Sequence, residues 1–186
     1  IPMEKALDDV LVAFKANGEA LRKEHGYPVR LVVPGWEGNM WVKWLRRIEF
    51  SDRPFMTREE TSKYTEPVKG EVSRQFSLTM DARSVITYPN YPDTVEKGWI
   101  EIQGIAWTGR GRISRAEVST DNGKTWQAAT LQEPVLPKAH TRFRHLFKWD
   151  GKETVILSRA VDETGYVQPS LRAFIDARGP GSCPYH

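Results

Sequence analysis

The sequence contains very little cysteine, with Cys183 as the only one among 186 residues. A single thiol excludes an intramolecular disulfide framework and a cysteine-cluster metal site within this chain. The sequence also lacks an apolar run long enough to span a membrane, an initiating methionine and a recognisable signal peptide. We therefore expect a fragment or processed product that has no membrane span.

Blocks of like charge are missing as well. The 27 Lys and Arg residues are scattered among 24 Asp and Glu residues, which leaves a net charge of +3. This weakly basic balance favours small anionic ligands and argues against a nucleic-acid surface. Apolar residues, by contrast, are plentiful at 39% with seven tryptophans, so the chain can build a core.

The most informative stretch runs from residue 26 to residue 45. Val29–Val33 is rich in β-branched residues and contains one cation, Arg30, and a second apolar run contains Lys43. We predict a pair of strands that buries both cations among hydrophobic neighbours. Two interpretations stay open: the charged heads reach water, or they bind an anion such as phosphate, to which arginine offers a planar fork and lysine a point charge.

The flanking segments are less regular. Lys5–Lys15 is predicted to form a short helix or a helix-to-strand segment, and Asn17-Gly18 is a turn signal. Residues 53–71 are polar and predict a linker or extended arm, with one capped helical turn at Thr57–Glu60. We place the domain boundary at the end of this arm.

From residue 72 onward the sequence pattern predicts a series of short strands. Trp99–Trp107 alternates between its two faces, and Asn122-Gly123 between two strand patterns is a strong hairpin signal. Further strands are predicted at Gln75–Met80, Ser84–Tyr88, His140–Trp149 and Thr154–Val161. About seven strands with turns every 8 to 12 residues predict a mainly β fold, an immunoglobulin-like antiparallel sandwich.

Several motifs resemble one family in the family's own order. His25–Gly38, followed by Val42–Leu45, resembles the last part of the molybdenum-cofactor domain of the sulfite oxidase family. Gly104–Ile113, Val118–Trp126 and Ser158–Pro169 resemble the dimerisation domain that follows it. The branch that the chain resembles most is the bacterial sulfite or sulfane dehydrogenases of sulfur oxidation.

The resemblance implies a domain plan and a cofactor. Residues 1–52 would be the C-terminal remnant of the molybdenum-cofactor domain, 53–71 a linker and 72–186 the dimerisation domain. The cofactor would be molybdenum-molybdopterin, bound mainly by an upstream part that carries the ligating cysteine, with no haem in this chain. We expect Cys183 to be no ligand, and the chain alone to be inactive.

The resemblance also assigns roles to individual residues. The implied cofactor contacts are His25, Arg30, Trp41, Val42 and Lys43, and the implied substrate-anion contact is Arg178. Position 41 departs from the family, where a polar residue is expected, which argues against a side-chain contact there and leaves a backbone contact open. The implied partners are a second copy, a cytochrome c acceptor and sulfite or a sulfur-carrier protein, in the periplasm.

Two other functions remain open. The chain could act only as a dimerisation module, or it could be an immunoglobulin-like binding module for an anionic or carbohydrate partner. The second alternative requires an exposed aromatic platform, built from Trp99, Trp107, Trp126 and Trp149. We expect these tryptophans to pack in the core instead, given their positions on the predicted strands.

Overall fold

The computed structural model describes residues 1–58, 64–68, 72–75 and 78–179. Its contacts divide the chain into unit 1, Ile1–Thr79 with Leu171–His186, and unit 2, Met80–Ser170. Within the described residues no helix is both long and apolar enough to cross a bilayer. The sequence predictions that involve Glu59-Glu60, Phe76 and Cys183 lie outside these residues.

Unit 1 starts with a helix and four short strands. The elements are α1 (Met3–Asp8), β1 (Leu11–Ala13), β2 (Lys15–Ala16), β3 (Glu19–Ala20) and β4 (Arg30–Val32). The predicted helix-to-strand segment is therefore confirmed. The β2–β3 hairpin turns at Asn17 and Gly18, whose φ values of 52° and 83° are both positive, as a type I′ turn requires.

The structural centre of unit 1 is the antiparallel pair of β1 and β4. Leu11 lies opposite Val32 and Ala13 lies opposite Arg30, so the pairing fixes where the Arg30 side chain leaves the sheet. Val33, which follows β4 directly, is fully buried. Unit 1 also contains a hairpin of β5 (Thr65–Val68) and β6 (Val72–Gln75), and α2 (Leu171–Arg178).

Unit 2 consists of two antiparallel sheets. Its strands are β7 (Arg83–Tyr88), β8 (Gly98–Trp107), β9 (Ile113–Ser119), β10 (Gln127–Ala128), β11 (Thr130–Leu131), β12 (Thr141–Trp149) and β13 (Leu157–Asp162). One sheet has the order β11-β12-β8-β7 and the other β10-β9-β13. The mainly β, immunoglobulin-like sandwich is thus confirmed, and its core includes Ile102 and Phe143 from one sheet with Val118 from the other.

The alternation predicted for β8 is confirmed, but the placement predicted for the tryptophans is wrong. Even-numbered positions of β8 face the core, and Ile102 and Ala106 there are fully buried. Trp99 occupies an odd-numbered position and is 70% exposed. Trp107, Trp126 and Trp149 are half-buried and lie outside the core cluster. Phe143 and small and aliphatic residues fill the interior, and the indoles lie outside this cluster.

The Asn-Gly hairpin is confirmed between β9 and β10. Asn122 and Gly123 have φ of 59° and 82°, and Gln127 pairs with Val118. Asp121 stabilises this turn by accepting hydrogen bonds from the hydroxyl and the amide of Thr125, at 2.6 Å and 2.9 Å. These bonds, led by the one from the Thr125 hydroxyl, lower the pKa of Asp121 to about 2.

Gly104 in β8 gives a first testable prediction, because Phe143 packs directly on it. A Cβ at residue 104 would lie 2.2 Å from the Phe143 Cζ and 2.5 Å from the Val85 carbonyl oxygen. We expect Gly104→Ala to lower the free energy of unfolding by about 2 kcal/mol through overpacking, measured by urea denaturation. Gly38→Ala is the control, since no atom lies within 4 Å of its Cβ; equal losses in both variants would contradict the prediction.

Candidate anion-binding site

The candidate site is built around a tight backbone turn whose last position requires glycine. The 3-10 turn Lys23–His25 ends at Gly26, whose φ is 104° and whose amide donates to the Lys23 carbonyl. A Cβ on Gly26 would lie 3.2 Å from the Arg30 Cβ and 3.1 Å from the Lys43 Cβ. The absence of a side chain therefore lets the turn approach both cationic residues closely.

Arg30 and Lys43 come from neighbouring segments. The Leu31 amide donates to the Val42 carbonyl and the Leu45 amide donates to the Val29 carbonyl, each at 2.8 Å. The second predicted strand is wrong, because residues 41–45 form no strand and Trp44 has a φ of 51°. The two hydrogen bonds are still enough to hold the cation-bearing segments side by side.

The Arg30 guanidinium is held by carbonyl oxygens and an indole ring. Its Nη1 donates to the His25 carbonyl at 3.0 Å, and its Nη2 approaches the Trp41 carbonyl at 3.4 Å. The guanidinium lies 5.7 Å from the centre of the Trp41 ring, and the Trp41 Nε1 donates to the Trp36 carbonyl. The Arg30 Nε is buried and has no hydrogen-bond partner.

Lys43 differs from the sequence prediction because its side chain is exposed, not buried. Its Nζ donates to the Glu24 carbonyl at 2.7 Å and lies 5.9 Å from the centre of the Trp44 ring. The ammonium therefore lies at the surface beside the Lys23–His25 turn. The Trp44 Nε1 donates to the Lys23 carbonyl, which fixes the same turn from below.

The two cationic side chains of the site, Arg30 and Lys43, have no nearby counter-charge among the described residues. Among the described residues, no carboxylate lies within ion-pair distance of Arg30 or Lys43. Backbone carbonyls supply dipoles but no negative charge, and a half-buried guanidinium is costly to leave without a counter-charge. The arrangement therefore suits an anion that can accept from both groups.

The remaining predicted contacts are placed as follows. The His25 side chain is exposed and its carbonyl accepts from Arg30, whereas Val42 is 47% exposed and contributes its carbonyl to Leu31. Arg178 is the last residue of α2, and its side chain lies outside the described part. The structure thus brings five of the six predicted residues together, and their roles toward a cofactor stay predictions.

Sequence reasoning missed three contributors to this site. Gly26 is visible in the sequence, but the close approach that makes it necessary is not. Trp44 and the buried, unpartnered Oδ1 of Asn39 gave no sequence signal at all. Across the described residues no group of three His, Cys, Asp or Glu side chains is arranged to hold a metal ion.

Family comparisons define the class of protein. Residues 1–59 match the oxidoreductase molybdopterin binding domain, and residues 74–186 match the Mo-co oxidoreductase dimerisation domain. The chain is thus built from the two domain types of a molybdopterin oxidoreductase. Within that class it belongs to the sulfite oxidase family, as its relatives make plain.

Three relatives show the extent of the similarity. The mitochondrial sulfite oxidases of Rattus norvegicus and Homo sapiens are each 36% identical over 205 residues, covering 100% of this chain and 37% of theirs. The crystal structure of the sulfane dehydrogenase SoxCD from Paracoccus pantotrophus is 55% identical, with a TM-score of 0.94, covering 98% of this chain and 48% of that one. The chain thus spans less than half the length of these relatives.

The residues present fit the phosphate group of a molybdopterin. The buried Arg30 Nε is a donor that has no partner, and the Lys43 Nζ uses one of its donors on the Glu24 carbonyl. Gly26 leaves room between their stems. A phosphate monoester presents only oxygen acceptors to such donors. It would therefore supply the hydrogen-bond acceptors and the negative charge that Arg30 and Lys43 lack.

Gly26 provides a prediction about this fit. In the full-length protein we expect Gly26→Ala to release molybdopterin about fivefold faster, because the added Cβ pushes the Arg30 and Lys43 stems apart and strains the turn by about 1 kcal/mol. Release can be followed by the fluorescence of the oxidised pterin. Gly18→Ala is the control, with a similar φ of 83° but no atom within 4 Å; the same acceleration there would mean that backbone strain alone is responsible.

Proposed function

We propose that this chain is the C-terminal part of a molybdenum-cofactor sulfite or sulfane dehydrogenase, and that the turn around Gly26 anchors the cofactor phosphate. One observation carries the proposal: Arg30 and Lys43 lie on neighbouring segments, and no described carboxylate neutralises either of them. The 55% identity to a structure described as a sulfane dehydrogenase favours the sulfur-oxidising branch.

In this proposal each residue of the site has a separate task. Arg30 directs its guanidinium plane toward the phosphate from a half-buried position, where the His25 and Trp41 carbonyls fix the orientation of the plane. Lys43 supplies a second positive charge from the surface side, steadied by the Glu24 carbonyl. When bound, the molybdenum centre supplies two-electron oxidation of sulfur by oxygen-atom transfer. The protein residues bind and orient the cofactor through its anchor.

The substrate contact is proposed for Arg178. Sulfite is a dianion at neutral to alkaline pH, and a partly desolvated site needs converging cations to hold such a charge. Arg178 ends α2, and the Gly179 amide closes that helix by donating to the Ile175 carbonyl at 2.7 Å. The helix end thereby gives the Arg178 backbone a defined position, which supports a role in binding a substrate anion.

The binding partners, the substrate and the location of the protein are also proposed. Unit 2 matches a dimerisation domain, so we propose a homodimer formed through the β-sandwich. We propose that electrons pass to a cytochrome c, that the substrate is sulfite or sulfur on a carrier protein, and that the protein acts in the periplasm. The haem belongs to the acceptor and not to this chain.

The test is sulfite-dependent reduction of cytochrome c by the full-length protein. We expect Arg178→Gln to raise the KM for sulfite about tenfold, as for the loss of one charge-assisted hydrogen bond, with a smaller change in kcat. Arg172→Gln is the control, because Arg172 lies on the same helix and pairs with Asp176 at the surface. An unchanged KM in Arg178→Gln would refute the role of Arg178 in binding the substrate anion. Turnover of carrier-bound sulfur but not of free sulfite would identify the sulfane reaction.

The two alternatives have less support. A binding module needs aromatic side chains on one surface, but Trp99 and Trp149 lie on opposite faces of one sheet, as the burial pattern shows. Trp126 instead stacks against Arg159, with 4.2 Å between the guanidinium and the ring centre. A dimerisation module without catalysis would show no molybdenum and no sulfite-dependent reduction in the full-length protein.

A further inference from the structure

The side chain of Asn39 carries a buried polar atom for which neither the fold nor the phosphate anchor provides a role. Asn39 lies in the 3-10 turn Gly38–Met40, where the Met40 amide donates to the Glu37 carbonyl and the Trp41 amide to the Gly38 carbonyl. These two hydrogen bonds join backbone atoms only, so they do not involve the Asn39 side chain. The side-chain Oδ1 of Asn39 is buried and accepts no hydrogen bond.

Such an atom requires an explanation, because a buried acceptor without a donor is destabilising and is rare in native proteins. In the described part of unit 1, two side-chain atoms are in this condition: Arg30 Nε and Asn39 Oδ1. The first is a donor and the second is an acceptor, so a group that can only accept hydrogen bonds satisfies the first and not the second. An ionised phosphate satisfies Arg30 and has no N–H to offer Asn39.

We propose that Asn39 accepts an N–H hydrogen bond from the pterin ring of the cofactor. The inference deepens the proposed function and rests on it. A pterin carries amide and amino N–H donors, the complement of an unpartnered carboxamide oxygen. The placement agrees, because Asn39 lies two residues before Trp41, whose carbonyl and ring both contact Arg30. The phosphate end is thus bound at Arg30 and the ring is recognised from the preceding turn.

The geometry of the loop supports a fixed contact. The Trp41 Nε1 donates to the Trp36 carbonyl at 3.1 Å, which closes the segment 36–41 on itself. The Glu37 amide donates to the Leu78 carbonyl at 2.9 Å, which anchors the segment from the other side. An acceptor carried on such a restrained turn loses little conformational entropy when a ligand binds.

The test measures two properties of Asn39→Leu in the full-length protein: the release rate of molybdopterin and the melting temperature of the cofactor-free form. Leucine has nearly the same shape and removes the acceptor. We expect release to be about fivefold faster, as for the loss of one hydrogen bond. The cofactor-free form should keep or raise its melting temperature, because the unpartnered atom is gone.

Thr141→Val is the matched control, because it removes a buried, unpartnered Oγ1 in unit 2. It should leave the release rate unchanged. An unchanged release rate in Asn39→Leu, together with a lower melting temperature of the cofactor-free form, would overturn the inference and identify water as the partner. If the wild-type protein retains no molybdopterin, the proposed function itself fails. If the wild type retains the cofactor and Asn39→Leu releases it at the wild-type rate, only the inference fails.

Discussion

Arg30→Leu in the full-length protein should release molybdopterin about a hundredfold faster than the wild type, as for the loss of two charge-assisted hydrogen bonds. The effect should be large because the guanidinium is half-buried and pre-oriented by the His25 and Trp41 carbonyls. Lys43→Leu should have a smaller effect, since the Lys43 ammonium is exposed and water screens its charge. The fluorescence of the oxidised pterin reports both rates.

The control for this prediction is Arg46→Leu. Arg46 is exposed and lies three residues after Lys43, so it tests whether any local positive charge is sufficient. Arg30→Lys should give an intermediate rate, because it keeps the charge and loses the planar fork. The cofactor-free form of Arg30→Leu should melt no lower than wild type. Wild-type retention of the cofactor in Arg30→Leu would contradict the phosphate anchor.

Asp162→Ala should lower the free energy of unfolding of unit 2 by about 3–5 kcal/mol, comparable to breaking a buried charge network. The Asp162 side chain is buried and accepts from the Thr108 hydroxyl at 2.9 Å, the Thr164 hydroxyl at 2.6 Å and two amides, those of Thr164 and Tyr166. Removal of the carboxylate leaves four donors without an acceptor. At about 2–4 °C per kcal/mol, the melting temperature should fall by at least 6 °C.

The same residue should make stability depend on pH. Burial tends to raise the pKa of Asp162, but hydrogen bonds from Thr164 and Thr108 together with the backbone amides outweigh it and lower the pKa. The contribution of Asp162 is therefore full above its unfolded pKa of about 3.9 and disappears as pH falls through the folded value. Urea unfolding of wild type and Asp162→Asn should differ most at neutral pH and converge in acid.

Glu153→Ala is the matched control for the Asp162 series. Glu153 is exposed, and its replacement should change the free energy of unfolding by no more than about 0.5 kcal/mol. A difference between wild type and Asp162→Asn that stays the same from neutral to acid pH would show that the carboxylate charge has no part in the network.

The fold could be predicted where local patterns decide it. The alternation of β8 and the Asn122-Gly123 turn specify side-chain direction and hairpin geometry from neighbouring residues alone. The burial of the tryptophans was predicted wrongly because it depends on which side chains of the two sheets pack in the core. Ile102 and Phe143 occupy the centre of the core, and Trp99 faces outward by the parity of its position in the strand.

The site could be predicted only in part. The spacing of Arg30 and Lys43 indicated two neighbouring cationic segments, and the structure places them side by side. For Lys43 the first of the two open interpretations holds, because its ammonium reaches water. The close approach of the turn at Gly26 and the positive φ of Trp44 were not evident from the sequence pattern. The unpartnered Asn39 oxygen depends on the packing of the whole loop, which no local pattern encodes.

The most direct test of the account is a structure of the full-length protein loaded with molybdopterin. We expect phosphate oxygens about 2.7–2.9 Å from a guanidinium nitrogen of Arg30 and from the Nζ of Lys43, the usual lengths of such charge-assisted bonds. We also expect the pterin ring beside Asn39. A phosphate bound elsewhere, with Arg30 still held only by the His25 and Trp41 carbonyls, would contradict the central claim.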